Sequence, residues 1–402
     1  MRWRLLLLLT LALLISYIDR GNMATSETVI SAQLHLNSER MGVLLSSFYF
    51  TYVLAMIPAG YLAERYGAKP ILAAGFAIWS VATLLTGFCS GFSSLLACRL
   101  LLGLGESVTF PCVSKILASS SPPGELGRAN GVISVGYLIG PAIGTFIGGA
   151  LLVRYGWRPS FLVFGSLALI WIWPWLRMAV REPRLSEAPR AGPSWRQLLR
   201  ERGLWASSLG HFAGNYTFYF VLNWLPDYLD RERGLSISSM AMVTGAAYLL
   251  NAAGAFSAGF LIDHWNRRTG SVSVIYKSLM ALNHVAALGC MLGLFALPIG
   301  PAIGCLFTYQ FIVGLASPGC FAIPQIMAGA AGTARWVGVQ NMFGNIAGIV
   351  APSLTGYLLG SSGSFGHAFL IAGLVNILGI VGWVILLPRV APVRWPLLSP
   401  AT

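Results

Sequence analysis

Four ionisable residues stand where the surrounding sequence offers them no water. Asp19 and Arg20 lie inside the apolar run 5–30, and Arg99 and Glu106 lie inside the run 91–117. An Asp or Arg at the centre of a membrane helix costs about 2.5–3.5 kcal/mol on the insertion scale, so such residues face a cavity or a partner. A guanidinium fork is shaped to receive a carboxylate. Desolvation favours the neutral form of a carboxyl, and an adjacent arginine favours the charged form, so a carboxyl whose arginine partner is exchanged loads and releases a proton. We therefore expect Arg20 to contact an anionic ligand and Arg99 to hold Asp19 or Glu106 as a carboxylate in one conformation. Asp19 and Glu106 are then the proton-coupling candidates. A static buried salt-bridge network is the structural alternative.

Spacing sharpens the expectation. Arg99 and Glu106 are seven residues apart, hence on one helix face and about 10 Å apart along the axis. Gly103 and Gly105 between them leave room for a neighbouring helix or side chain. Asp19 and Arg20 are adjacent, about 100° apart around their helix, and point in different directions. In the second half of the chain, Asn341 and Asn345 are four apart, with Gln340 just before them, and Tyr219 and Asn223 are also four apart. Amides and phenols supply partners for ligand hydroxyls. Hydrogen bonding between helices is the alternative reading of each. His211, His264, His284 and His367 are scattered, and no HExxH, GxSxG or Asp-rich cluster is present. Neither an enzyme nor a metal site is expected, and no cofactor. The six cysteines lie in apolar segments without a CxxC pair and read as small buried residues.

The elements that carry these residues follow from composition. The chain is 56% hydrophobic and 10% charged, with mean hydropathy +0.71, against about 25% charged in a soluble domain. Twelve runs are long enough to span a bilayer as helices: 5–30, 41–63, 70–88, 91–117, 127–153, 159–179, 203–229, 237–262, 273–296, 299–328, 334–359 and 366–388. They are too long and continuous for a membrane barrel. Arg2 and Arg4 before Leu5 resemble a signal peptide, but no small-x-small cleavage site follows, so a first membrane helix is preferred.

The net charge of +13 is not a nucleic-acid signal, because the basic residues occupy short loops. Arg65, Lys69, Lys115, Arg128, Arg177 and the cluster in 181–202 share a side with the N-terminus, whereas Arg40, Arg154, Arg158, Arg231 and Arg233 lie opposite. The positive-inside rule then puts both termini in the cytoplasm, in a bacterial inner membrane. Residues 181–202, with Pro183, Pro189, Gly192 and Pro193, read as a cytoplasmic linker between six-helix halves 1–180 and 203–402, attracted to anionic lipid. The halves echo each other. Gly60-Tyr-Leu-Ala-Glu64-Arg65 matches Gly259-Phe-Leu-Ile-Asp263-His264, and Gly127-Arg128-Ala-Asn-Gly131 matches Ala334-Arg335-Trp-Val-Gly338. Parallel repeats of this kind mark a duplicated transporter architecture.

These segments resemble the major facilitator superfamily. Gly60-Tyr-Leu-Ala-Glu64-Arg65-Tyr-Gly67-Ala-Lys69 is similar to its helix 2–3 signature, with Glu64 where aspartate is commoner, and Gly136-Tyr-Leu-Ile-Gly140-Pro141-Ala-Ile-Gly144 to its helix-5 signature. Tyr17-Ile-Asp19-Arg20, Arg99 with Glu106, Asn223-Trp-Leu-Pro226-Asp-Tyr-Leu, and Gly344-Asn345-Ile-Ala-Gly348-Ile-Val-Ala-Pro352 resemble the anion:cation symporters. The resemblance implies an all-α membrane fold of twelve helices in two pseudo-symmetric six-helix bundles. It implies proton-coupled uptake of a small organic anion, a sugar acid such as an aldonate or hexuronate, by an alternating-access monomer. It adds Tyr17 and Tyr52 to the substrate site, with core packing as the alternative for both. Gly60, Glu64, Arg65, Asp263, Arg128 and Arg335 are expected to gate the cytoplasmic face without touching substrate. An exporter or exchanger of organic anions or drugs is the alternative; buried arginines argue against cationic drugs.

Overall fold

The structure, a computed structural model, describes residues 3–178, 192–362 and 364–395. Of the linker expected at 181–202, residues 181–191 therefore lie outside the described residues. The apolar runs are helices with short connections: α1 Trp3–Gln33, α2 Ser38–Tyr66, α3 Ala68–Thr86, α4 Phe92–Ser120, α5 Leu126–Tyr155 and α6 Trp157–Arg177. After a short surface helix, Trp195–Arg200, come α7 Arg202–Arg231, α8 Ile237–Thr269, α9 Val272–Ala296, α10 Ile299–Ala328, α11 Thr333–Ser362 and α12 Gly366–Leu386. Among the described residues, eleven of these helices are long and apolar enough to cross a membrane by length and composition. The twelfth, α7, is 30 residues long and falls short because of polar residues whose purpose the cavity explains. Large apolar side chains such as Ile170, Leu249 and Tyr357 are turned outward, as a lipid-facing surface requires.

One expected helix is broken. The run 91–117 forms two pieces, Phe92–Glu106 and Thr109–Ser120, separated at Ser107 and Val108. Pro111 explains it: a proline lacks an N–H and its ring crowds the carbonyl four residues back, which here is that of Ser107. Glu106 thus ends the first piece. Tight turns also dictate residue type. Gly67, between α2 and α3, has φ +93°, and Gly270, between α8 and α9, has φ +63°, a region that side chains with a Cβ avoid.

The repeat read from sequence has a structural counterpart. Lys69, at the start of α3, donates to the carbonyls of Leu176 and Met178 at the end of α6. Lys277, at the start of α9, donates to those of Val384 and Leu387 at the end of α12. The two lysines neutralise the orphan carbonyls of equivalent helix ends. Across the halves, α2 packs against α11 and α5 against α8. The echoed motifs meet there: a Cβ on Gly60 would lie 2.5 Å from the carbonyl oxygen of Ala334, and one on Gly259 would lie 3.0 Å from Cα of Arg128. The same short sequence is repeated because the same close crossing is made twice.

Candidate transport site

A cavity of about 770 Å³ lies between the halves. Its lining runs outward past Glu27, Leu45, Thr145, Leu222 and Thr244, toward the helix ends opposite the linker. At the linker end the helices close on one another.

Helix α1 presents Tyr17 and Arg20 to the cavity from one face, while Asp19, about 100° away, turns toward α3. There its Oδ2 accepts a hydrogen bond from the Thr83 hydroxyl at 2.9 Å. Oδ1 has no hydrogen-bond partner. The Arg20 guanidinium reaches across to α4, where Nη2 and Nε donate to one oxygen of Glu106 at 2.8 and 3.2 Å. Glu106 is sealed from the cavity, with 0% side-chain exposure against 16% for Arg20. The guanidinium also lies 4.4, 4.9 and 5.0 Å from the ring centres of Tyr17, Phe48 and Tyr52. Three aromatic faces and one carboxylate therefore hold a cation whose remaining edge looks into the cavity.

Glycine makes this approach possible. A Cβ on Gly103 would fall 2.3 Å from the carbonyl oxygen of Phe48, and one on Gly105 would fall 2.6 Å from the Trp79 nitrogen. Both glycines expected to provide space do so, the first against α2 and the second against α3.

The pairing expected of Arg99 in one conformation is not the one made in this conformation. Arg99 holds neither Asp19 nor Glu106, and no carboxylate lies within ion-pairing distance of it among the described residues. Its Nε donates to the Leu44 carbonyl at 3.4 Å, and its guanidinium lies 5.1 Å from the Phe48 ring. Arg99 is two turns along α4 from Glu106, whose carboxylate is occupied by Arg20 of α1. Arg99 is left as a second cavity-lining cation, and Phe48 is shared by the two guanidiniums.

The opposite wall is neutral. The Tyr219 hydroxyl donates to Oδ1 of Asn345 at 2.7 Å, and Asn345 donates to Oδ1 of Asn341 at 3.0 Å. Asn223 donates to the Tyr219 carbonyl. Tyr17, Tyr52, Tyr219, Asn223, Asn341 and Asn345 all line the cavity. Gln340 does not: it is fully buried and donates to the Cys320 carbonyl at 2.9 Å. It is one residue from Asn341, so it points 100° away, into α10.

Sequence reasoning missed Phe48, Tyr49, His211, Asn215 and Thr83. Tyr49 stacks edge-on to Tyr219 at 5.7 Å, bridging the two walls. One signal was available. His211, Asn215, Tyr219 and Asn223 recur every four residues on α7 and all line the cavity. That polar stripe is what lowers the hydropathy of α7.

At the linker end, the Glu64 carboxylate accepts from the backbone N–H of Arg335 at 2.9 Å and forms an ion pair with its side chain. It caps the first turn of α11, where a negative charge is favoured. Asp263 is buried beside Gly127 at the first turn of α5. Between them, Asn130 of α5 and Gln325 of α10 exchange two amide hydrogen bonds of 2.7 and 3.1 Å. Arg65 is not part of this closure. It is exposed, bonded to the Tyr61 hydroxyl one turn earlier, so the pairing across the halves belongs to Glu64 and Arg335. Arg128 packs its guanidinium over Trp3 and Phe260. Among the described residues no group of three or more His, Cys, Asp or Glu side chains is positioned to hold a metal ion.

Two six-helix halves around a central cavity, closed at one end by repeated motifs, can be compared with known proteins. Residues 9–352 match the family described as Major Facilitator Superfamily. The chain belongs to the major facilitator superfamily. The transporter falls in the anion:cation symporter-type group. It is 30% identical to the hexuronate transporter of Bacillus subtilis over 92% of its own length and 90% of that protein. It is 27% identical to the probable L-galactonate transporter of Escherichia coli, covering 98% and 90% of the two chains. Its fold matches the crystal structure of the transporter FucP in the outward conformation, with TM-score 0.79 at 14% identity over 94% of this chain and 98% of that one.

Proposed function

We propose that this transporter takes up a small organic anion, a sugar acid such as an aldonate or hexuronate, together with protons. The observation that carries the reading is the Arg20–Glu106 pair, a cavity-facing guanidinium neutralised by a carboxylate that the cavity does not reach. A proton on Glu106 removes the counter-charge from Arg20 and leaves only a weaker, neutral acceptor. The cage of Tyr17, Phe48 and Tyr52 keeps the guanidinium in position, and arginine does not deprotonate. The substrate carboxylate then takes the vacated interaction. Anion and proton enter together with no net change in site charge, which avoids the cost of an unpaired buried ion. Asp19, bonded to Thr83 and away from any arginine contact, is the second proton carrier. Arg99 adds positive potential at the same wall, and Tyr219, Asn223, Asn341 and Asn345 face the hydroxyl groups. Names of relatives that carry hexuronate and galactonate favour this substrate class.

In this reading the halves are residues 1–180 and 203–402, tethered by 181–202. The chain is a monomer in a bacterial inner membrane, with both termini and the linker in the cytoplasm and the linker's basic residues against anionic lipid. Glu64, Arg335, Asp263, Gly60 and Arg128 hold the cytoplasmic end shut while the cavity opens outward, and their separation exposes the site inward. Radiolabelled hexuronate and aldonate uptake into proteoliposomes tests it. An inward pH gradient drives accumulation in the wild type. Glu106→Gln abolishes accumulation but keeps exchange of internal for external anion. Accumulation surviving in Glu106→Gln would remove Glu106 from coupling.

A further inference from the structure

The turn between α3 and α4 brings two cysteines together. Cys89 and Cys98 have their sulfurs 3.7 Å apart, in contact, within a small apolar cluster at the end of the bundle opposite the linker. Cys98 immediately precedes Arg99. The Cys89 carbonyl is held by the Arg158 guanidinium at the start of α6, at 3.2 Å. The transport mechanism uses neither thiol. From this contact we propose that Cys89 and Cys98 are a thiol–disulfide site that clamps the α3–α4 turn and fixes the first turns of α4, and with them the register of Arg99.

The geometry favours closure. A sulfur–sulfur bond of about 2.05 Å needs the two atoms, now 3.7 Å apart, to move together by less than about 2 Å. The chemistry is exchange with a disulfide-bearing oxidant of the extracytoplasmic side, of the thioredoxin-like or small-thiol class. The Cys89 thiolate attacks one oxidant sulfur and expels the other as a thiolate. Cys98, losing its proton, attacks Cys89 and expels the second oxidant thiolate. The pair loses two electrons and two protons, which reduce the oxidant to a dithiol, or to two thiols where it is a small-molecule disulfide. Either sulfur can donate across the Cys89–Cys98 contact; Cys89 is taken as the first nucleophile because the Arg158 guanidinium sits against its carbonyl, a cation beside the developing thiolate. Both side chains are buried, so exchange occurs as the chain folds or when the Gly87–Gly91 turn opens. The inference rests on the orientation proposed above, which puts this turn outside.

Cells lysed directly into an alkylating agent test it. The non-reduced peptide holding both residues should lack alkyl groups and weigh two hydrogens less than the dithiol form. The other four cysteines should be alkylated on denaturation. In the purified transporter, reductant should raise KM for the anion several-fold in the wild type and leave Cys89→Ser/Cys98→Ser unmoved. In that double variant, Ser90→Cys should react with a membrane-impermeant maleimide in intact cells. Labelled Ser90→Cys with both wild-type thiols alkylated overturns the disulfide and keeps the orientation. Unlabelled Ser90→Cys overturns the orientation, and the inference with it. A disulfide whose reduction leaves KM unchanged overturns the link to Arg99.

Discussion

The two walls of the cavity solve different problems. The α1–α4 wall concentrates charge, with Arg20, Glu106, Arg99 and Asp19 within one bundle, and it spends aromatic rings and glycine contacts on holding them. The α7–α11 wall carries no charged side chain at the site and works through phenol and amide hydrogen bonds. Charge buried at bilayer depth is costly unless compensated, so a wall that holds charge must be built as a network, and each member depends on the rest. Amides pay no such cost and act nearly independently. One wall should therefore fail abruptly when altered and the other should degrade gradually.

The largest effect is expected from Arg20→Lys. An ammonium keeps the charge but not the planar fork, and it cannot hold the same contacts with three rings and Glu106. Transport in proteoliposomes should fall at least a hundredfold. A variant that retains a tenth of wild-type uptake would mean that charge alone is enough there. Next comes the closure at the linker end. Glu64→Gln leaves the Arg335 side chain buried without its counter-ion, a change that costs about 3–5 kcal/mol in buried pairs. Cysteines introduced on the linker side of the cavity should become reactive from the cytoplasmic face. Unchanged reactivity would show that Asp263 and the Asn130–Gln325 amide pair suffice to keep that end shut.

Arg99→Gln should have a smaller effect, about a tenfold rise in KM or about 1.4 kcal/mol, with coupling to the pH gradient preserved. Loss of coupling would restore to Arg99 the carboxylate-holding role that the sequence suggested. The smallest change is expected on the neutral wall. Asn345→Ala should raise KM for a polyhydroxylated acid several-fold, and should barely alter it for a short acid without hydroxyls. Equal losses for both would mean that Asn345 only braces Tyr219.

Much of this was legible in the sequence, for physical reasons. Helix α10 runs over 299–328 as expected because a continuous apolar segment has one way to satisfy its backbone in lipid. The four buried ionisable residues announced themselves by rarity. Their pairing did not. Whether Arg20 or Arg99 meets Glu106 depends on the rotational setting of α1 against α4 and on the reach of two flexible side chains, which spacing along one helix does not encode. Gln340 was misjudged for a similar reason, since a single residue step turns it from the cavity into α10. The α4 break needed attention to Pro111, which an apolar count overlooks. The four-residue stripe on α7 is legible in the sequence once the Tyr219–Asn223 spacing is extended two steps back to Asn215 and His211.

The central claim is that an anion displaces Glu106 from Arg20 only when a proton takes its place. Calorimetric titration of the purified transporter with the anion, in buffers of different ionisation enthalpy, measures the protons exchanged on binding. The account predicts net proton uptake by the wild type, weaker binding as pH rises, and uptake reduced in Glu106→Gln. Equal proton uptake in the two proteins, or binding insensitive to pH, would contradict it.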